Sequence, residues 1–431
     1  MIKTRTLLAM QDLTKQYDVV VVGGGPAGMM AAVKASENGA SVLLLEKNNV
    51  LGKKLLISGG GRCNVTNNKP VVREMLGQYK AEGKYLFSTF MQHGVQETLQ
   101  WFLDHGVQTA EENEGRLFPS TKQAKTVQQA LVQAMAESKV TVASQQMVTA
   151  ILKNRDGLEV VCKNADAIQT TACIMATGGT TRPETGSTGE GLRFLGGLGH
   201  TIVENSFALV PLTLSSAWTK ELSGLTITDC KLTLFADNKK HSVHPGKVLF
   251  THVGLTGPTV LNMSKTVGDL LEYANVVIKL DLFPGKDPAA VDQVLRDAFT
   301  LDSNKKIRNA LGQLLPAAFA KAVLRECGID SETKCNSVTR AERIKLGLYL
   351  KAVPLPVSGL LGRDKAVVSA GGVALDEVDF KTMQSKVVPG LYVVGDMLNI
   401  NRPSGGYSLQ LCWSTGAVAG ASAAKQAVSK S

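Results

Sequence analysis

The residues best suited to chemistry here act through their backbone. Gly23, Gly25 and Gly28 stand in the frame Gly23-x-Gly25-x-x-Gly28, with Pro26 and Ala27 inside it. In that frame the first glycine turns the chain, the second lets backbone approach a pyrophosphate, and the third lets a helix lie close to a strand. Glu46 follows about 20 residues on, where a carboxylate takes ribose hydroxyls. A second glycine cluster, Ser58-Gly59-Gly60-Gly61-Arg62-Cys63-Asn64, is a run of backbone donors suited to a phosphate or a flat heterocycle. Its alternative is a plain surface loop, although Leu55-Leu56-Ile57 before it should pack inside. Cys63 has no second cysteine nearby, the next being Cys162, which argues against dithiol chemistry. His252, within Phe250-Thr251-His252-Val253-Gly254, is a second side chain able to move a proton, or else a satisfied loop histidine.

The elements that must position these groups are legible around them. Val19–Val22 is β-branched throughout and too short for a helix, so it reads as a buried parallel strand. Met29–Ala35 is helical in composition, and Ser41–Leu45 is a second apolar strand that ends on Glu46. Strand, glycine turn, helix, strand and acid together specify an ADP-binding βαβ unit. Residues 85–137 read as helical, with segments at Tyr85–Phe90, Gln96–His105 and Lys125–Ala136. Strands follow at Val140–Ala143, Met147–Lys153 and Leu158–Lys163, the last two antiparallel about the turn Asn154-Arg155-Asp156-Gly157. A strand over Ala172–Met175 then exits at Ala176-Thr177-Gly178-Gly179, closing the nucleotide fold.

Gly186–Gly191 precedes a helix over Leu192–Leu198, but it follows no strand ending in a GxGxxG frame and precedes no ribose acid, so it reads as a loop beside the substrate or the cofactor. The chain therefore shows one nucleotide fingerprint and no second Rossmann domain for a nicotinamide. Between about 205 and 365 the texture changes to strand-like pieces at Lys231–Ala236, Lys247–Thr251 and Asn275–Asp281. Helical stretches follow at Pro288–Phe299, Lys305–Cys327 and Arg340–Leu350, which marks an inserted domain, part β and part α. The nucleotide fold resumes with a strand over Val387–Val394 that ends in Gly395-Asp396. Gly405, Gly406, Tyr407 and Ser408 then lead into a small-residue helix, Leu409–Lys425.

Whole-chain properties bound the partners. The 431 residues are 44% hydrophobic and 19% charged, which is globular composition. No run of about 18 apolar residues offers a membrane span, and Met1–Gln16 has too short an apolar core for a signal peptide. Seven cysteines without a CxxC pair suggest reduced thiols in a cytoplasmic protein, with no structural zinc or other metal. The net charge of +10 fits either solubility or a polyanionic partner.

SGGGRCNVTN, ATGG, FTHVGLTGP, GLYVVGD and GGYSLQ resemble the BaiN-like bacterial family of NAD(P)/FAD-dependent oxidoreductases, over nearly the whole chain from Tyr17 to Ala419. The more distant likeness, through TGSTGEG and GLYVVGD, is to the fumarate-reductase flavoproteins. The resemblance implies an α/β fold: a bipartite FAD-binding Rossmann-type domain, glutathione-reductase-like, with an inserted β-barrel plus helical domain. The boundaries expected are an N-terminal extension at 1–16, the FAD domain at 17–204 and 366–431, and the insert at 205–365. Within the insert the β part covers about 205–285 and 351–365, and the helical part about 286–350. By the same resemblance Gly23–Gly28, Glu46, Ser58–Asn64 (Gly60, Gly61, Arg62 and Cys63 included), Ala176–Gly178, Gly395–Asp396 and Gly405–Leu409 line the FAD. Lys47, Lys54 and Val148 join that lining. Cys63, and secondarily His252, are the implied proton donors. The chain departs from the family at Asn399 and Asn401, where relatives often carry acids, and at Asp396, where they often carry Glu.

The implied activity is that of an FAD-dependent oxidoreductase using NAD(P)H to reduce an electron-poor C=C, with uridine in large-subunit ribosomal RNA as one substrate. The alternatives are a steroid- or bile-acid-like small molecule, or an O2-using oxidation of a small amine.

Overall fold

The computed structural model describes residues 16–155, 157–163, 165–208, 210–361 and 368–429. All but Gln16 of the expected N-terminal extension, Asp156 of the expected turn, and the expected boundary at 365–366 lie outside the described residues. The described chain divides into two compact units: residues up to position 206 with those beyond 367, and residues between 207 and 366.

The first unit begins β1 (Tyr17–Val22), α1 (Pro26–Glu37), β2 (Val42–Glu46) and a short α2 (Lys53–Leu56). β3 (Thr66–Asn67), α3 (Val72–Gly77), α4 (Phe87–Gln92) and α5 (Val95–Asp104) follow. The stretch expected to be helical through to 137 is interrupted by two strands, β4 (Thr109–Glu112) and β5 (Arg116–Pro119), which pair with β3 in a small sheet. Then come α6 (Ala124–Glu137), β6 (Thr141–Ser144), β7 (Val148–Lys153), β8 (Leu158–Cys162), β9 (Ile168–Met175), α7 (Glu190–Gly197) and β10 (Ile202–Ala208).

The second unit contains β11 (Leu212–Leu214), β12 (Thr226–Ala236), β13 (Lys239–Phe250), β14 (Gly254–Thr256), α8 (Pro258–Leu271) and β15 (Val276–Asp281). Its helices are α9 (Pro288–Leu301), α10 (Ile307–Leu314), α11 (Ala317–Glu326) and α12 (Arg340–Lys351), and β16 (Val353–Leu360) ends it. Its strands close a barrel in the order β11-β14-β13-β12-β15-β16. Alternation directs Leu232 and Leu234 of β12, Ile278 and Leu280 of β15, and Val248 and Phe250 of β13 into the barrel core. The single helical stretch expected over Lys305–Cys327 is two helices. Pro316 forces Leu315 into extended backbone (φ −137°, ψ 156°) and ends α10.

The chain returns to the first unit with β17 (Val368–Val373), β18 (Val378–Asp379), β19 (Gln384–Ser385), β20 (Leu391–Val393) and α13 (Tyr407–Val428). Among the described residues its main sheet runs β18-β19-β20-β9-β1-β2-β6, with β7 and β8 attached through β8 to β9. β1 lies parallel to both β2 (Val20↔Leu43) and β9 (Val20↔Cys173), and β20 runs parallel to β9 (Tyr392↔Ile174). Strands β1 and β2 are buried nearly throughout, as a parallel sheet covered on both faces requires. This is the expected α/β architecture: a discontinuous Rossmann-type unit interrupted by a barrel with helices. Among the described residues no helix is long and apolar enough to cross a membrane.

Candidate functional site

In the first unit the chain leaves β1 through Gly23 at φ 109°, and a Cβ there would fall 2.5 Å from the Ala176 carbonyl oxygen. A Cβ on Gly28 would strike the Gly23 carbonyl, so α1 can start this close to the strand only with glycine at both positions. Gly25 is different: a Cβ there would meet nothing within 4 Å. It is the N-cap of α1, has no side-chain cap, and is followed by Pro26 in the first turn. The first helical bond is Met29 N to Gly25 O at 2.9 Å, so the amides of Ala27 and Gly28 have no acceptor within the helix and carry positive partial charge. That opening and those donors fit a pyrophosphate.

Glu46 ends β2 and is buried. Its Oε2 accepts from Gly24 N at 2.8 Å, and Oε1 accepts from Asn48 N and Nδ2 at 2.8 and 2.7 Å. A carboxylate has about four acceptor sites, so Oε2 keeps one for a ribose hydroxyl. Lys47 beside it is committed elsewhere, to Glu190 at 2.8 Å and Thr188 at 2.9 Å. Val148 is buried at the start of β7.

The Ser58–Asn64 loop needs its glycines for conformation: Gly59, Gly60 and Gly61 have φ of 56°, 68° and 84°. Cys63 shares that left-handed region at φ 61°, and its amide donates to Ser58 O at 3.0 Å. Its side chain is fully buried. Burial pushes the thiol up to about 12, against the opposing Ser58 hydrogen bond, so it stays protonated at neutral pH. A thiol packed in this way offers no surface to a substrate, and what Cys63 visibly supplies is the turn. Ser58 donates to Leu55 O at 2.7 Å. Arg62 grips both oxygens of Glu112 at 2.9 and 3.0 Å and lies 4.2 Å over the Phe118 ring. Asn64, with its amide turned so that both ends are satisfied, accepts from Gly406 N at 2.9 Å and donates to Thr66 O at 2.9 Å.

At the far strand end, Ala176 is buried, the Thr177 hydroxyl points at Met397 Sδ (3.3 Å), and Gly178 has φ 76°. Gly395 also has positive φ, 62°, and its amide donates to Thr415 Oγ1 at 3.0 Å. Asp396 follows, held by Lys54 at 3.3 Å and by Arg402. Burial alone would raise the Asp396 carboxyl; Arg402 and then Lys54 overrule it and hold it below the ordinary aspartate range. Gly405 and Gly406 (φ 123° and 100°) turn the chain into α13, which has no side-chain cap. Gly406 is pressed against Thr66, where any Cβ would collide with its carbonyl. The amides of Tyr407, Ser408 and Leu409 precede the first α13 bond, Gln410 N to Gly406 O at 3.0 Å.

The sequence reading missed Arg402. It is buried, with Nη1 donating to Ile400 O at 2.7 Å and Nε to Ser408 Oγ at 3.0 Å. The available signal was a lone cation inside a proline- and glycine-rich turn six residues after Asp396. Gln410 was missed too. It joins Thr66 (2.6 Å), Thr98 (2.9 Å) and Ser414 (2.9 Å) in a buried network that fixes α13 to β3 and α5. His252 belongs to the second unit, exposed in the turn between β13 and β14.

A family model described as the HI0933-like protein Rossmann domain matches residues 17–422. A 3-dehydro-bile acid Δ(4,6)-reductase of Clostridium scindens is 28% identical over 374 residues, 86% of this chain and 89% of its own length. A ribosomal RNA dihydrouridine synthase of Escherichia coli is 28% identical over 365 residues, 83% and 86% of the two chains. Among solved structures, a flavocytochrome c3 fumarate reductase in an open conformation superposes with a TM-score of 0.53, at 16% identity, over 96% of this chain and 79% of that one. A 3-ketosteroid-Δ4-(5α)-dehydrogenase of Rhodococcus jostii covers 98% of this chain and all of its own, with a TM-score of 0.51 at 15% identity. Those two structures share its fold.

Proposed function

Since the chain belongs to the HI0933-like Rossmann family, we propose that this FAD-dependent oxidoreductase uses NAD(P)H to saturate an electron-poor C=C, with uridine in ribosomal RNA as the leading substrate. When bound, FAD supplies the two-electron carrier between nicotinamide and substrate. The observation that carries the cofactor reading is the open cradle at Gly25, over the uncapped start of α1 and beside Glu46. With FAD bound, Glu46 would hold the ribose, the α1 amides would hold the pyrophosphate, and the uncapped start of α13 would offer its positive dipole to the flavin. FAD binding is assigned to 17–204 and 366–431, substrate selection to the insert 205–365, and the protein to the cytoplasm. The proton that accompanies hydride has two candidate sources in the sequence. Burial of Cys63 favours His252, whose side chain is exposed.

Two relatives have names that describe saturation of a C=C, one on a steroid acid and one on ribosomal RNA. The net charge of +10 favours the RNA. That charge is not a concentrated patch. In the helices of the insert Lys305 pairs with Asp302, Lys306 and Arg308 with Glu332, and Arg343 with Asp292. The pairs of Lys306 and Arg308 with Glu332 are exposed on both sides, so they are weak and can be exchanged for phosphates. The steroid-like substrate is the second reading, favoured by a relative of equal identity.

Glu46→Ala tests the cofactor site. Losing charge-assisted hydrogen bonds worth about 1.5–3 kcal/mol each should make FAD wash out at least tenfold more easily. A wild-type protein that ignores added FAD would overturn the whole reading. Nucleoside mass spectrometry of ribosomal RNA, treated with enzyme, FAD and NAD(P)H, tests the substrate. Dihydrouridine should rise on unmodified RNA, and binding should weaken with salt by a slope of about −0.7 per phosphate contacted on single strands. No dihydrouridine, with turnover of an unsaturated steroid acid instead, would transfer the assignment to the small molecule.

A further inference from the structure

The Asp396 cluster carries more positive charge than its own carboxylate can answer. Lys54 and Arg402 are both cations, Asp396 is one anion, and all three belong to the first unit. Arg402 is entirely out of water, with a side-chain exposure of 0%, and Lys54 and Asp396 are mostly covered at 24% and 15%. Arg402 is tethered at three points, to Asp396, Ile400 O and Ser408 Oγ, so it cannot swing out to shed its charge into solvent. Lys54 is likewise held by Thr181 Oγ1 at 2.9 Å. The neighbouring positions that could neutralise the excess, Asn399 and Asn401, are amides. Cys412, buried beside the cluster, remains a protonated, neutral thiol.

A buried surplus charge is costly unless a partner of opposite sign completes it. We propose that Lys54 and Arg402 form a charge reserve for the anionic form of the bound flavin, so that Arg402 raises the cofactor's reduction potential. The inference rests on the FAD reading above. Hydride transfer from NAD(P)H brings two electrons and one proton, which leaves one added negative charge on the ring system. A fixed buried cation in the same unit favours that charged state over the neutral oxidised one. Arg402 here is a positioning and tuning residue, acting through charge and through its hold on Asp396.

The test is the two-electron midpoint potential of the FAD-loaded full-length protein, read by spectroelectrochemistry, together with retention of oxidised FAD. Arg402→Gln should bind reduced FAD at least tenfold less tightly relative to oxidised FAD, a drop of about 30 mV for a two-electron couple. Arg402→Lys, which keeps the charge, should recover most of that drop. Should Arg402→Gln fail to fold, Lys54→Met is the second variant, since its partly exposed side chain can be replaced without opening the core; its potential should fall in the same direction. An unchanged potential in a variant that still holds FAD would overturn the proposal and leave the FAD reading intact. A wild-type protein that takes up no FAD would instead end the reading on which the proposal rests.

Discussion

Each unit of this protein sets a buried or largely covered aspartate between two cations, and the arrangements at Asp281 and Asp396 end differently. In the barrel unit Asp281 meets Lys351 at 2.7 Å and Lys231 at 3.1 Å. Lys351 uses its other donors on Phe283 O (2.7 Å) and Lys286 O (2.6 Å), and Asp281 also accepts from Phe283 N at 3.0 Å. The result is a latch that ties the end of β15 and the following turn to the last turn of α12. Its second cation, Lys231, is 36% exposed, so the surplus charge ends in water. In the Rossmann unit the fully covered Arg402 pairs with Asp396, and the second cation, Lys54 at 3.3 Å from the same carboxylate, is only 24% exposed. Equal numbers of charges thus make a self-sufficient fastener in one place and an incomplete site in the other. Where the excess charge ends distinguishes them.

The sharpest way to break this comparison is Asp281→Asn. It leaves Lys351 buried without a counter-charge, which should cost about 3–5 kcal/mol. Urea unfolding should show the loss equally with and without FAD; recovery on adding FAD would mean the latch is not self-sufficient. A smaller effect sets the conditions for measuring both clusters. His93 is buried, its Nε2 has no partner among the described residues, and burial, helped by Lys34, lowers it to about 4. His200 is lowered too, by burial, against the carbonyl of Leu195 and the charge of Glu377. In both, the unfolded chain takes up a proton that the fold refuses. Stability is therefore full above about pH 6.5 and falls as pH drops toward the folded value, by at most about 3 kcal/mol for His93. Chemical denaturation across pH 7 to 4 should show this slope, and His93→Gln should flatten it. An unchanged slope in that variant would place the acid sensitivity elsewhere. The smallest effect expected is for Lys231→Met. An exposed partner of an ion pair contributes less than about 1 kcal/mol, and a larger loss in thermal unfolding would show that water does not dispose of the latch's excess charge.

The parts of the fold legible in the sequence are those where one physical demand dominates. Four valines in a row with three spaced glycines have few other solutions, and β1, α1 and β2 fall where that pattern puts them. β4 was invisible because Thr109–Glu112 is half to fully exposed and half acidic, with no alternation to betray a strand. α8 was hidden behind Gly254 and Gly257, although the first opens β14 and the second is the N-cap of the helix. In the site, glycines could be read because positive φ and close approach exclude other residues. Arg402 could not, because its role depends on a carboxylate and a lysine brought from opposite ends of the chain. At Cys63 the resemblance implies a proton donor, a role that composition and spacing alone do not specify; the structure adds its positive φ and its burial.

The discontinuity of the Rossmann unit also has a consequence for synthesis. β20 completes the sheet on β9, and α13 packs so closely on α1 that a Cβ at Gly416 or Gly420 would strike the carbonyls of Ala27 or Ala31. A ribosome makes the N-terminal half of this unit first, then everything from 207 to 366, at about 5–20 residues per second. For some 10–30 s the apolar flanks of α1 and β9 therefore have no partner on the same chain. A nascent polypeptide in that interval presents a chaperone client, and truncations anywhere before α13 should accumulate as chaperone-bound or aggregated material however complete their nucleotide fingerprint.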